Sequence, residues 1–190
     1  MPPKTKITKE DILNIAFEIV RQNGIDSLNA RNIAKALHCS TQPVFSHYEN
    51  MSALRAEVYA MASKYHTDYF DRVSPDENIF LNVSVAYVDF ALEEPHLFRF
   101  LFMSDSFRTG AIDEFMEGDC NKHISQHIPD YIDKSSPAAS ATFTDMWLYA
   151  HGIATMLVMN QINITKEEVQ LMLTRMCHAL INDLKYKNKP

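Results

Sequence analysis

Ser27-Leu28-Asn29-Ala30-Arg31-Asn32-Ile33-Ala34-Lys35-Ala36-Leu37-His38-Cys39-Ser40-Thr41-Gln42-Pro43-Val44-Phe45-Ser46-His47-Tyr48 is the stretch whose reading decides the fold. It contains two helical patterns with room for only a turn between them. Asn29 is a good N-cap, because its side-chain oxygen accepts from amides that a helix start leaves open. Ile33, Ala34 and Leu37 then recur on one face and are predicted to point inward. His38-Cys39 makes a brief turn. Ser40 is placed to cap a second short helix from Thr41 to about Tyr48, with Pro43 in the first turn, where its missing amide costs no hydrogen bond. Val44 and Tyr48, four apart, are predicted inside, and Thr41, Gln42 and Ser46 outside. Two short helices joined in this way read as a helix-turn-helix.

Helical signals continue on both sides. Upstream, Thr8-Lys9-Glu10-Asp11 has the capping-box pattern. Ile12, Ile15, Ala16, Ile19 and Val20 then form one apolar stripe, and Gly24 ends that helix in a left-handed conformation. Downstream, Asn50 caps a fourth helix that runs to about Val73. Asp76 to about Glu94 reads as a fifth helix with Ile79, Val83, Ala86, Tyr87 and Phe90 inward, and Pro95 to Met103 as an aromatic-rich sixth segment. Gly110 to Ile128 reads as a seventh helix, Ser136 to about Asn160 as an eighth, and the capping box Thr165-Lys166-Glu167-Glu168 opens a ninth. The expectation is an all-α chain of about nine helices: a three-helix head bearing the helix-turn-helix in residues 1–50, and a larger helical domain in residues 51–190.

Composition agrees with that class. Hydrophobic residues make up 46% and charged residues 22% of 190, and only four glycines occur, fewer than tight hairpins usually demand. No apolar run approaches the roughly 20 residues that span a bilayer, and the basic start lacks the apolar stretch of a secretory signal, so a cytoplasmic protein is expected. Cys39, Cys120 and Cys177 are odd in number and widely spaced, which suits reduced thiols. The overall charge of -6 conceals an asymmetry. Residues 1–48 hold six cations against four anions, a net +2 that leaves -8 for the remainder. Local charge is what meets phosphate, so a mildly basic head on an acidic body permits nucleic-acid binding.

The residue types now carry a family resemblance. Ser27 to Leu37 resembles the second-helix motif of TetR regulators, and Cys39 to Asn50 resembles their recognition helix, a match spanning about residues 8–55. The resemblance implies a ligand-responsive transcriptional regulator, usually a repressor, that grips palindromic double-stranded operator DNA as a homodimer. It places Asn29, Arg31, Lys35, Ser40, Thr41, Gln42, Phe45, Ser46 and His47 at the DNA. Gln42 suits bidentate pairing with adenine. Arg31, Lys35 and His47 suit phosphates, which set register without reading sequence. Three positions depart from the family pattern. Phe45 replaces a common tyrosine, Met51 a common lysine, and His38 a frequent turn glycine, so His38 must tolerate a strained backbone or reshape the turn.

The body is read with the same resemblance. Trp147-Leu148-Tyr149-Ala150-His151-Gly152 resembles a Trp-His-Gly motif of one TetR subgroup. With Tyr87, Phe98, Phe102, Met103 and Met116, Trp147 and His151 suggest an apolar pocket for a small effector, although a plain aromatic–methionine core would use the same residues. Broad apolar faces on the last two helices, including Thr142, Tyr149, Ile153 and Met156 on the eighth and Val169, Met172, Met176 and Leu180 on the ninth, are expected at the dimer interface. Asp119, His123 and His127 recur every fourth residue on the seventh helix, but a metal site needs further ligands from another element, and a solvated face is the simpler reading. No metal, cofactor or catalytic residue is assigned. The rival readings are a helical sensor or adaptor whose head has lost DNA binding, and a helical metalloenzyme, which lacks a recognisable nucleophile–base set.

Overall fold

The computed structural model describes residues 7–73, 78–104 and 137–187, and these form eight α-helices with no strand among them. The expected seventh helix, with Met116, Asp119, His123 and His127, lies outside the described residues, as does Cys120. Packing divides the chain into two units, one of residues 1–65 and 96–108, the other of residues 66–95 and 109–190. The unit that holds the head therefore continues beyond residue 50.

The first unit starts with α1 (Lys9–Asn23), a short 3-10 turn (Ile25–Ser27), α2 (Ala30–Ala36) and α3 (Gln42–His47). The capping box at Thr8 forms as expected: Asp11 N donates to Thr8 Oγ1 at 3.1 Å, and Thr8 N donates to Asp11 Oδ2 at 2.8 Å. That pairing holds the Asp11 carboxyl below its ordinary pKa. Asn29 caps α2 through Asn32 N at 2.9 Å, an interaction whose loss typically costs about 1 kcal/mol. Ile12, Ala16 and Val20 are buried as expected. Phe17, which lies off the expected stripe, is buried too, while Ile15 and Ile19 stay half-exposed. The expected face is rotated because the aromatic ring covers more area than either isoleucine and packs 5.7 Å from Tyr65.

Two helix ends in the head differ from expectation, and a third meets it. Gly24 has φ +81° and ψ 169°, which is not the left-handed helical cap but the extended positive-φ region that is essentially closed to other residues. A Cβ there would also meet His96 Nδ1 at 3.2 Å. Ser40 does not cap α3; the residue before the helix is Thr41, already helical in backbone and without a side-chain cap. Pro43 removes one of the open amides and Val44 N donates to Thr41 O, so little remains for a cap to satisfy. His38 carries the backbone strain itself, with φ +51°. Cys39 N reaches back to Ala34 O at 2.9 Å, closing α2 in the manner that usually employs glycine.

Helix α4 (Met51–Phe70) is capped by Asn50, whose Oδ1 accepts from Ala53 N at 2.9 Å, and it stops short of the expected Val73. Its residues 51–65 belong to the first unit and 66–70 to the second. Helix α6 (Pro95–Phe102) supplies Leu97, Phe98, Phe100 and Leu101 to the core of the first unit.

In the second unit α5 (Ile79–Glu93), α7 (Pro137–Val158) and α8 (Lys166–Lys187) pack against one another. α7 and α8 are the eighth and ninth helices of the sequence reading. Val83, Tyr87 and Phe90 are buried on α5, but Ala86 is only half-buried. The α8 capping box forms, with Glu168 N donating to Thr165 Oγ1 and Thr165 N to Glu168 Oε2. Val169, Leu173, Cys177 and Leu184 are the buried stripe of that helix. Burial pushes the Cys177 thiol above its ordinary pKa.

Candidate nucleic-acid interface and aromatic cluster

The helix-turn-helix presents a face assembled from a buried frame and an exposed set. Val44 is fully buried and Tyr48 nearly so, which fixes α3 against α1 and α2. Tyr48 is held further by Glu57 on α4: its hydroxyl donates to Glu57 Oε2 at 3.0 Å, while Lys9 Nζ donates to Oε1 at 2.6 Å and lies 5.0 Å from the Tyr48 ring centre. Burial, then the Glu57 carboxylate, pushes the Tyr48 hydroxyl well above its ordinary pKa. Lys9 and the tyrosine hydroxyl hold Glu57 below its own. Both oxygens of this acid are therefore engaged within the frame.

Outward from that frame stand Gln42, Phe45, Ser46 and His47, all exposed, with Thr41 half-buried beside them. Phe45 is 54% exposed, the largest value among the exposed large hydrophobic residues. Ser46 Oγ donates to Gln42 O at 2.9 Å, which leaves its lone pairs available. His47 Nε2 lies 3.2 Å from Ile7 O, so the ring ties the end of α3 to the chain entering α1. Arg31 and Lys35 are exposed on α2, and among the described residues neither engages a carboxylate. Ser40 is exposed in the turn. Residues 28–48 contain no aspartate or glutamate at all. Asn29, Ala30, Arg31, Asn32, Thr41 and Phe45 line an open groove of about 590 Å³. This surface can donate hydrogen bonds, carry positive charge and offer one flat apolar ring.

The second unit brings together Tyr87, Trp147 and His151. Tyr87 Oη and His151 Nδ1 are 2.9 Å apart, and Trp147 stacks on His151 with ring centres 4.9 Å apart. Burial lowers the His151 pKa, so this is a neutral, hydrogen-bonded group. His66 on α4 joins the same cluster: it is fully buried, edge-on to Phe90 at 4.7 Å, Phe70 at 4.9 Å and Tyr87 at 6.0 Å. Its burial lowers its pKa to about 3. Sequence reasoning passed over His66, although it continues the buried positions Leu54, Val58, Ala62 and Phe70 at four-residue spacing, and that periodicity is the signal that could have found it. Thr155, one turn beyond His151, has a buried Oγ1 without a hydrogen-bond partner among the described residues. Phe98 and Phe102 are core residues of the first unit, with rings 5.1 Å apart, and Met103 is exposed there. Among the described residues, no three or more His, Cys, Asp or Glu side chains are grouped to hold a metal, and no helix is long and apolar enough to cross a membrane.

Residues expected at a dimer interface fall into two groups. Ile153 and Val169 are buried within the chain itself, so they support the monomer's core and offer a partner little surface. Thr142, Tyr149, Met172, Met176 and Leu180 are half-buried, and Met156 is exposed. Leu148, Met159 and Leu171 are also exposed, although the sequence reading passed over them. Gly152 is exposed, and a Cβ added there would meet nothing within 4 Å among the described residues.

Comparison with known proteins bears on both parts of the chain. Residues 80–180 match the family described as "Tetracyclin repressor-like, C-terminal domain". An uncharacterized HTH-type transcriptional regulator, YobS, of Bacillus subtilis is 28% identical over 101 residues. That match covers 50% of this chain and 51% of the relative, so the similarity spans about half the length of the curated relative. Among solved structures, a member of the TetR family from Streptomyces coelicolor A3 superposes with a TM-score of 0.59 at 14% identity, covering 88% of this chain and 96% of that one. A TetR transcriptional regulator from Rhodococcus sp. RHA1 gives 0.56 at 14% identity, with 90% and 93% covered. A protein of unknown function from the same organism gives 0.62 at 18%, with 95% and 96% covered. At these identities the structural likeness establishes the fold.

Proposed function

The chain belongs to the tetracycline-repressor-like (TetR) family of transcriptional regulators, and on that premise we propose that it is a repressor that binds palindromic operator DNA as a homodimer and leaves it when a small, largely apolar molecule enters the C-terminal helices. The observation that carries the DNA reading is the acid-free stretch 28–48, whose outward side chains stand over the buried Val44 and Tyr48. Gln42 supplies an amide able to pair with adenine, while Arg31, Lys35 and His47 supply phosphate contacts. Asn29, Thr41 and Ser46 add short polar groups, and Ser40 stands beside them in the turn. A dimer supplies two such heads about 34–36 Å apart, or at a multiple of that, which is what a palindrome requires.

Tyr87, Trp147 and His151, all in the second unit, are the anchors we assign to the effector. The described anchors are neutral and hydrogen-bonding, which suits an uncharged ligand. Helix α4 contributes residues to both units and is one covalent route from effector to head. Only an effector whose affinity differs between the two states can change occupancy. A shift from 99:1 to 1:99 needs about 5.5 kcal/mol of differential binding. The test is selection from random double-stranded DNA followed by gel shift across a salt series. A palindrome bound far above random sequence, with affinity falling steeply as salt rises, is the expected result. Uniform weak binding to all sequences would remove the repressor reading.

The exposed face of α7 supports the dimer. Glycine inside a helix costs about 1 kcal/mol relative to alanine, and among the described residues nothing packs closely enough on residue 152 to require it. A second helix crossing closely beside Leu148 and Met156 supplies that reason. Replacing Gly152 with arginine is therefore expected to weaken self-association at least a hundredfold, read by sedimentation at micromolar concentration. An unchanged dimer would move the interface elsewhere.

A further inference from the structure

We infer that Phe45 makes this protein a reader of thymine through its 5-methyl group, an inference that rests on the DNA-binding reading above. The premise is an imbalance in the recognition surface. Phe17 in α1 and Tyr48 at the end of α3 are buried, whereas Phe45 holds 54% of its surface in water. It lies three residues after Gln42 and one turn after Thr41, so all three occupy the outward side of α3 while Val44 and Tyr48 occupy the inward side. The groove at its base is lined by Asn29, Ala30, Arg31, Asn32 and Thr41, in the main polar groups that suit sugar and phosphate.

The chemistry of the partner follows from what the ring lacks. A phenyl group neither donates nor accepts a conventional hydrogen bond, so it cannot hold a phosphate oxygen. In the major groove, thymine alone presents a methyl group, and contact with it from an apolar side chain separates T·A from the other base pairs. Gln42, on the same face, matches the N6/N7 edge of adenine. The pair therefore favours an operator half-site in which adenine and thymine are close neighbours. Burying one methyl-sized group is worth about fourfold in affinity, so two symmetric half-sites give about fifteenfold.

The experiment prepares the selected operator in two forms, one with thymine and one with uracil throughout, which differ only by the methyl groups. The full-length dimer is expected to bind the thymine form about fifteenfold more tightly. Phe45→Ala should weaken binding to the thymine form and bring the ratio close to one, whereas Phe45→Leu, which keeps an apolar side chain, should retain most of it. Because Phe45 is exposed, both variants should unfold at the wild-type temperature, which circular dichroism checks. A ratio near one for the wild type overturns the inference, and so does a ratio that Phe45→Ala leaves unchanged, since the methyl readout would then belong to another residue. In either case the DNA-binding reading stands; loss of both would appear as failure to select any operator from random DNA.

Discussion

Lowering the pH from 7.5 to 4.5 is expected to cost the folded protein about 2.5 kcal/mol through His66 alone. The side chain is fully buried among Phe70, Tyr87 and Phe90, and burial lowers its pKa from the ordinary 6.5 to about 3. Between those values the unfolded chain carries a proton on this imidazole and the folded chain does not. Stability from this group is therefore complete above pH 6.5 and declines by about 1.4 kcal/mol per pH unit as the pH falls towards 3. His151, whose pKa is also lowered by burial, acts in the same direction. Asp11, Glu57 and Glu167 have depressed values as well and lose their contributions as carboxylates protonate, which falls in the lower part of the range. Urea unfolding of the wild type and His66→Leu at pH 7.5, 6.0 and 4.5 separates the terms. The variant should have a visibly shallower slope, and equal slopes would mean that His66 is protonated inside the fold.

Val44→Asp is expected to abolish specific DNA binding, with at least a hundredfold loss. The residue is fully buried on the inward side of α3, where a carboxylate would be stripped of its hydration. An unpaired buried charge costs several kcal/mol, more than a small helical head can absorb. The damage should be local. Hydrogen exchange should accelerate in α1, α2 and α3 while α5, α7 and α8 keep their protection. Gln42→Ala is the useful contrast, because it removes an outward group and should cost about 1–3 kcal/mol of base discrimination without any change in protection. If Val44→Asp binds like the wild type, the assigned orientation of α3 is wrong.

The helix starts were legible in the sequence because capping is a local matter. Thr8, Asn29, Asn50 and Thr165 each satisfy amides within three residues, and all four do so in the structure. Ser40 failed as a cap for an equally local reason, since Pro43 and the helical backbone of Thr41 left it nothing to satisfy. Gly24 was legible as a stop but not in its conformation, which is set together with His96, more than seventy residues away in the chain. Burial was harder to read. Ile153 and Val169 lie on faces that look available to a partner until α5, α7 and α8 are packed together. The exposed, outward side of α3 was readable from residue types within one short motif, whereas the ring cluster around Tyr87 joins residues 66, 87, 147 and 151 from three helices, a juxtaposition that no spacing rule contains.

The separation between frame and face in the head bears on how such a regulator can change its target. Val44, Tyr48, Glu57 and Lys9 hold α3 in place, while Thr41, Gln42, Phe45 and Ser46 look outward, and no residue belongs to both sets. Substitutions in the outward set leave the stability of the head nearly untouched. On the operator-binding reading proposed above, new preferences are open to drift, and to deliberate retargeting by exchange of four side chains, without passing through an unfolded intermediate sequence.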